Sequence, residues 1–128
     1  MMLEKKIIIT ENAPAPIGPY NQAVRTGNLL FISGQIALVP GTDKLSDASI
    51  AEETEQVMKN LQAILIAEGA DFAAVVKTTI FLGSMEHFAE VNKVYGSYFS
   101  GGYPARETVA VKGLPRNVNV EISMIASL

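Results

Sequence analysis

The chain contains no cysteine and a single histidine, His87. No disulfide, thiolate nucleophile or cysteine-ligated metal is available, and one histidine is too few for a histidine-based zinc site, so neither metal nor cofactor is expected. Charge is also scarce. Charged residues make up 18% of the chain, and ten basic against thirteen acidic residues leave a net charge of −3 with no basic cluster. Phosphate-backbone binding draws its affinity from clustered Lys and Arg, so nucleic acid is not an expected partner. Long apolar runs are missing as well. Ile7-Ile8-Ile9 is interrupted by Thr10-Glu11-Asn12 and is too short for a signal-peptide core. Nowhere do about 18 apolar residues run together, which is what a membrane span needs. A soluble, cytoplasmic protein is the expectation, with residues 1–128 forming a single domain.

Apolar residues, by contrast, are plentiful. They make up 48% of the 128 residues, which suggests that some apolar surface meets another subunit. The most informative run is Tyr103-Pro104-Ala105-Arg106-Glu107-Thr108-Val109, followed by Val120-Glu121-Ile122. Arg106 closely follows a proline, a residue confined to strand beginnings or edges, so its guanidinium should emerge where a loop becomes a strand. The planar fork of arginine can hold a carboxylate through two parallel bonds. Glu121 lies in an alternating stretch, Val118 to Met124, and points away from the face carrying Val118, Val120, Ile122 and Met124. The two residues offer an anion clamp and a base on successive strands. Taken alone they are equally compatible with an exposed ion pair of little energetic worth.

Periodicity places the elements. Lys6 to Ile9 reads as a short edge strand, and residues 12–19, with three prolines, as an extended surface loop. Ala23 to Thr26 and Leu29 to Ile36 flank the turn signal Gly27-Asn28, which predicts a hairpin. Ser49 and Glu52 form a capping box for a helix whose apolar positions Ile50, Val57, Leu61, Ile64 and Leu65 share one side, with Gly69 placed to end it. A strand over Val75 to Leu82 follows, with both faces partly apolar. A second helix is predicted from Met85 to Phe99, stopped by Gly101-Gly102. Strands over Glu107 to Lys112 and Val118 to Ala126 complete an α+β fold: a single mixed β-sheet with two helices on one face. The uncovered face carries Leu29, Phe31, Ser33, Phe81, Glu121 and Ile125, a set too apolar to be left wet comfortably.

Five pieces in order resemble the reactive intermediate deaminases of the RidA/YjgF family. They are Gly18-Pro19-Tyr20-Asn21-Gln22-Ala23; Phe31-Ile32-Ser33-Gly34-Gln35-Ile36; Val91-Asn92-Lys93-Val94-Tyr95 with Tyr98-Phe99; Pro104-Ala105-Arg106-Glu107-Thr108-Val109; and Val120-Glu121-Ile122. The resemblance implies a chorismate-mutase-like fold assembled into a homotrimer around a central sheet barrel, with a pocket at each subunit boundary. It implies hydrolysis of reactive 2-imino acids, formed from enamines such as 2-aminoacrylate, to 2-keto acids and ammonia. Carried over by position, Arg106 would clamp the substrate carboxylate and Glu121 would orient or deprotonate the attacking water. Gly34 would give a backbone N–H to the anion and Ser33 a hydroxyl. Tyr20 would form a wall of the pocket, and Asn92 would support the site. Many relatives carry cysteine where this chain has Thr108, a position that would contribute through its backbone.

Two other functions compete with this reading. A regulatory module holding a keto acid would need the clamp but has little use for Glu121. An endoribonuclease or translation inhibitor has little support in an acidic chain without a basic stripe. His87, between Glu86 and Phe88, reads as a surface residue, and Tyr95, Tyr98, Phe99 and Tyr103 read as core or interface packing.

Overall fold

The computed structural model describes residues 4–128. Three strands come first: β1 (Lys5–Ile8), β2 (Ala23–Thr26) and β3 (Leu29–Gln35). β2 and β3 are joined by Gly27-Asn28, where Gly27 takes φ +59°, a left-handed conformation that glycine enters without steric cost. Then follow α1 (Ile50–Ala67), β4 (Val75–Leu82), α2 (Phe88–Gly96), β5 (Ala105–Ala110) and β6 (Val120–Ser127). The strands form one open mixed sheet in the order β1-β2-β3-β6-β4-β5. β4 and β5 are parallel, with α2 as their crossover, and every other neighbouring pair is antiparallel.

α1 is bounded by local chemistry. Ser49 Oγ accepts from Glu52 N at 3.1 Å at the start. At the end Gly69 N donates to the Ile66 carbonyl and Ala70 N to the Leu65 carbonyl. With Gly69 at φ +70°, these two bonds make a Schellman stop. Its buried side, including Val57, Leu61, Ile64 and Leu65, packs on Leu30, Ile32, Ile80, Leu82, Ile122 and Met124 of the sheet. Glu53 also lies on that side, fully buried. Its carboxylate accepts from Asn119 N at 2.8 Å, Asn119 Nδ2 at 2.9 Å and Val120 N at 3.0 Å, which gives a buried carboxylate the donors it requires and fixes the entry to β6.

The pairing register separates two faces. Phe31 stands opposite Ile125 and Phe81 opposite Glu121 on the face that the helices leave uncovered. Phe31 is 41% and Val109 43% exposed there. Among the described residues no helix is long and apolar enough to cross a membrane.

Several boundaries differ from expectation, and tertiary pairing explains them. β1 runs from Lys5 to Ile8 instead of Lys6 to Ile9, because it is paired residue for residue with β2 from Thr26 back to Ala23. β3 ends at Gln35, which pairs with Ile122 of β6 after a register shift between Ile32 and Gln35. The helix expected from Met85 divides. Ser84 Oγ accepts from Glu86 N at 3.2 Å and caps a short 3₁₀ turn over Met85–His87, so α2 begins at Phe88. Its end comes at Gly96, and Tyr98 and Phe99 continue only through i→i+3 bonds. β5 starts two residues earlier than expected because β4 pairs with it from Lys77↔Ala105 to Leu82↔Ala110. β6 starts at Val120, not Val118, because Arg116 and Asn117 take φ of 56° and 55° in the preceding turn. In β4 a register shift between Val75 and Lys77 leaves Val76 exposed and turns Val75 to the core.

Candidate active site

Glu121 is the second residue of β6, held in place by the Glu53 bonds to its two predecessors. Its carboxylate lies so close to β3 that a Cβ on Gly34 would stand 2.5 Å from Oε2 and 2.9 Å from Cδ. Only glycine leaves that carboxylate its present place. The group faces a cavity of about 490 Å³ whose lining includes Pro14, Ile17, Tyr20, Ser33, Gly34 and Leu38. Burial in this largely apolar setting raises the pKa of Glu121 above the usual carboxylate value. Tyr20 is 49% exposed at the cavity mouth. Ser33 Oγ donates to the Asn21 carbonyl at 2.5 Å.

Arg106 is the second residue of β5, beside Thr78 in the register. Its guanidinium carbon lies 5.2 Å from the centre of the Tyr95 ring and 5.8 Å from that of Phe88, within cation–π reach. Nη1 donates to Asn92 Oδ1 at 2.7 Å. These contacts come from α2 and hold the fork at the wall of a cleft of about 510 Å³ that also exposes Lys93, Tyr103 and Pro104. Tyr95 gives its hydroxyl to Thr78 Oγ1 at 3.0 Å, and burial raises its pKa, so the phenol stays neutral beside the cation. No carboxylate neutralises Arg106: the ion pairs among the described residues are Lys6–Glu68, Arg25–Glu68 and Lys77–Glu107. Thr108 stands two residues further along the same face, and its buried Oγ1 has no hydrogen-bond partner.

The two halves do not meet. Arg106 shares the helix-covered face with Thr78 and Ile80, Glu121 shares the other face with Phe81, and β4 runs between their strands. The exposed ion pair that the sequence allowed is therefore absent. Among the described residues Arg106 has no carboxylate partner in one cavity, and Glu121 has no ion-paired cation in the other, whose lining also holds Asp43 and Arg116. Arg106 and Asn92 stand at the first, and Tyr20, Ser33, Gly34 and Glu121 at the second, while Thr108 lines neither. His87 lines neither. Sequence reasoning missed the ring seat of Arg106. Phe88 and Tyr95 were visible as one side of a helix, but that pattern reads as packing.

Known proteins give this arrangement its context. Residues 10–128 match the family described as Endoribonuclease L-PSP. The chain is 47% identical over 126 residues to Reactive Intermediate Deaminase A, chloroplastic, of Arabidopsis thaliana, covering 98% of this chain and 67% of that protein. It is 48% identical over 122 residues to 2-iminobutanoate/2-iminopropanoate deaminase of Mus musculus, covering 95% and 90%. The crystal structure of E. coli TdcF with bound serine superposes with a TM-score of 0.91 at 37% identity, covering 96% of this chain and 98% of that one. With the motifs, the fold and these matches in agreement, the chain belongs to the RidA/YjgF family, the Endoribonuclease L-PSP family.

Proposed function

We propose that this chain hydrolyses 2-imino acids to 2-keto acids and ammonia at a site shared between subunits, Arg106 coming from one copy and Glu121 from its neighbour in a homotrimer. Relatives 44–48% identical are named 2-iminobutanoate/2-iminopropanoate deaminases, and the chain is an enzyme of this deaminase class. The observation that carries the composite site is the separation of Arg106 and Glu121 onto opposite faces of one sheet. β5 is an edge strand, so Arg106 and Thr108 lie where a second copy can reach. The uncovered apolar face around Phe31 and Val109 gives that copy a surface to bury.

The chemistry needs few groups. Arg106 holds the substrate carboxylate through its fork, while Asn92 and the two rings keep the fork oriented. That leaves the protonated imine carbon facing Glu121. Water adds to C2 as Glu121 takes its proton, giving a carbinolamine. Return of the proton to nitrogen lets the C–N bond break, and ammonia leaves as the hydroxyl gives its proton to the freed Glu121 carboxylate and the C=O bond forms. A carboxylate whose pKa is raised by burial takes the proton of the attacking water more readily than an ordinary glutamate. Positioning of this kind contributes several kcal/mol, of order 10² or more in rate.

The endoribonuclease reading draws on names, the family's description and those carried by solved neighbours. A net charge of −3 and one histidine outside both cavities do not favour it. The test is to add the purified protein to a threonine or serine dehydratase reaction with semicarbazide as competing trap. Faster keto-acid release and less semicarbazone are expected, and an unchanged partition would sink the proposal.

A further inference from the structure

Gln22 immediately precedes β2 and is only 3% exposed. Its amide is fully engaged with the proline-rich segment. Oε1 accepts from Thr10 N at 2.8 Å, and Nε2 donates to the carbonyls of Thr10 at 2.9 Å, Ala13 at 3.2 Å and Pro14 at 2.9 Å. On the other side, the Gln22 backbone carbonyl accepts from Ser33 N at 2.9 Å. A single residue thus ties the segment to β3 next to Gly34 and Glu121.

The segment has few other means of attachment. Pro14, Pro16 and Pro19 lack an N–H, so this stretch presents carbonyls and requires donors from elsewhere. The amide of Gln22 is such a donor. Ala13 is anchored in the core at 2% exposure, whereas Ile17 and Tyr20 beyond it are 83% and 49% exposed. Pro14, Ile17 and Tyr20 form one wall of the Glu121 cavity, and that wall is held at its base, not along its length.

We propose that Gln22 is a positioning residue that fixes how far this wall stands from Glu121, and thereby sets the length of apolar side chain that the site accepts. The inference rests on the imine-hydrolase reading, because the side chain of a 2-imino acid is what would fill this apolar space while the carboxylate sits on Arg106.

The test uses two variants of near-equal size. Gln22→Glu leaves an acceptor facing three carbonyls, and Gln22→Met removes the polar atoms. Hydrogen exchange at the amides of Thr10, bonded to Gln22 Oε1, and of the buried Ala13 should quicken by about tenfold or more in both, while exchange in α1 stays unchanged. In parallel, kcat/KM is measured for 2-iminobutanoate and for the longer imino acid that L-amino-acid oxidase makes from leucine. The ratio should move roughly tenfold toward the longer substrate, through KM more than kcat, the size of effect that a change in an apolar pocket produces. Glu68→Gln, which weakens the ion pairs to Lys6 and Arg25, serves as the control that lowers Tm without altering the ratio. If Gln22 were merely structural, its variants would behave like that control. Unchanged exchange overturns the clasp, and faster exchange with an unchanged ratio overturns the specificity role. Wild-type protein inert toward both imino acids overturns the imine-hydrolase reading and the specificity role with it, a result separate from any behaviour of the variants.

Discussion

Arg106 and Glu121 leave one sheet in opposite directions, the arginine beside Thr78 under the helices and the glutamate beside Phe81 on the uncovered face. No side-chain movement within one chain brings two such groups onto one small substrate, because the sheet itself lies between them. The arrangement becomes useful when copies assemble, and the first prediction concerns that assembly.

Arg106→Ala and Glu121→Gln should each be inactive alone, yet regain activity when unfolded together and refolded as a mixture. A boundary is complete when it takes Arg106 from a Glu121→Gln copy and Glu121 from an Arg106→Ala copy, so random mixing restores about a quarter of the sites in a cyclic trimer. Sedimentation should show trimers throughout. No recovery from well-mixed trimers would place the whole site in one chain.

Arg106→Lys should fold and assemble but lose most imine hydrolysis. Lysine keeps the charge and loses both the fork and its planar seat between Phe88 and Tyr95. A charge-assisted hydrogen bond is worth about 1.5–3 kcal/mol, so kcat/KM should fall at least tenfold. Near-normal activity in this variant would rule out the clamp.

Glu121→Gln should cut turnover by about 10²–10⁴-fold while calorimetry still detects 2-ketobutyrate binding. It also carries a stability signature. Burial raises the Glu121 pKa, so the folded state holds the proton more tightly than the unfolded chain does. That contribution is present below the unfolded value of about 4.3 and is lost as pH rises through the folded value. At pH 7 the ionised carboxylate therefore costs stability. The glutamine variant should have the higher Tm at pH 7, with the gain shrinking toward pH 4, and a gain independent of pH would contradict the assignment.

Gly34→Ala should spare the fold and damage the chemistry. The new methyl would meet the movable end of Glu121, 2.5 Å from Oε2, so the carboxylate gives way at little structural cost. A displacement of about 1 Å can cost 10²-fold in rate. Thermal melts within a few degrees of wild type with kcat reduced tenfold or more are expected, and full activity would show that the carboxylate's present place does not matter.

Much of the fold was legible because its signals are local. Ser49 and Gly69 mark the ends of α1 through bonds to residues three to five positions away, and Gly27 marks a turn through its own φ. Glu121 was assignable to the uncovered face because β6 is buried on one side and alternates cleanly from Val120 to Ser127. β5 carries no such pattern. It is an edge strand with little of either face buried, so nothing in Ala105-Arg106-Glu107-Thr108-Val109-Ala110 reveals which way Arg106 points.

Tertiary structure supplied what depends on neighbours distant in sequence. The insertion of β6 between β3 and β4 puts Gly34 against Glu121, and the crossover through α2 puts Asn92, Phe88 and Tyr95 around Arg106. The same long-range packing buries Gln22 and Glu53 with their full sets of hydrogen bonds. The sequence by itself determined the elements and the family, since short-range periodicity and motif order are written along the chain. The direction of Arg106, the two half-sites and the clasps that hold them were decided only by the fold, because an edge strand's partners and a polar side chain's burial are properties of the assembled sheet and not of any one segment.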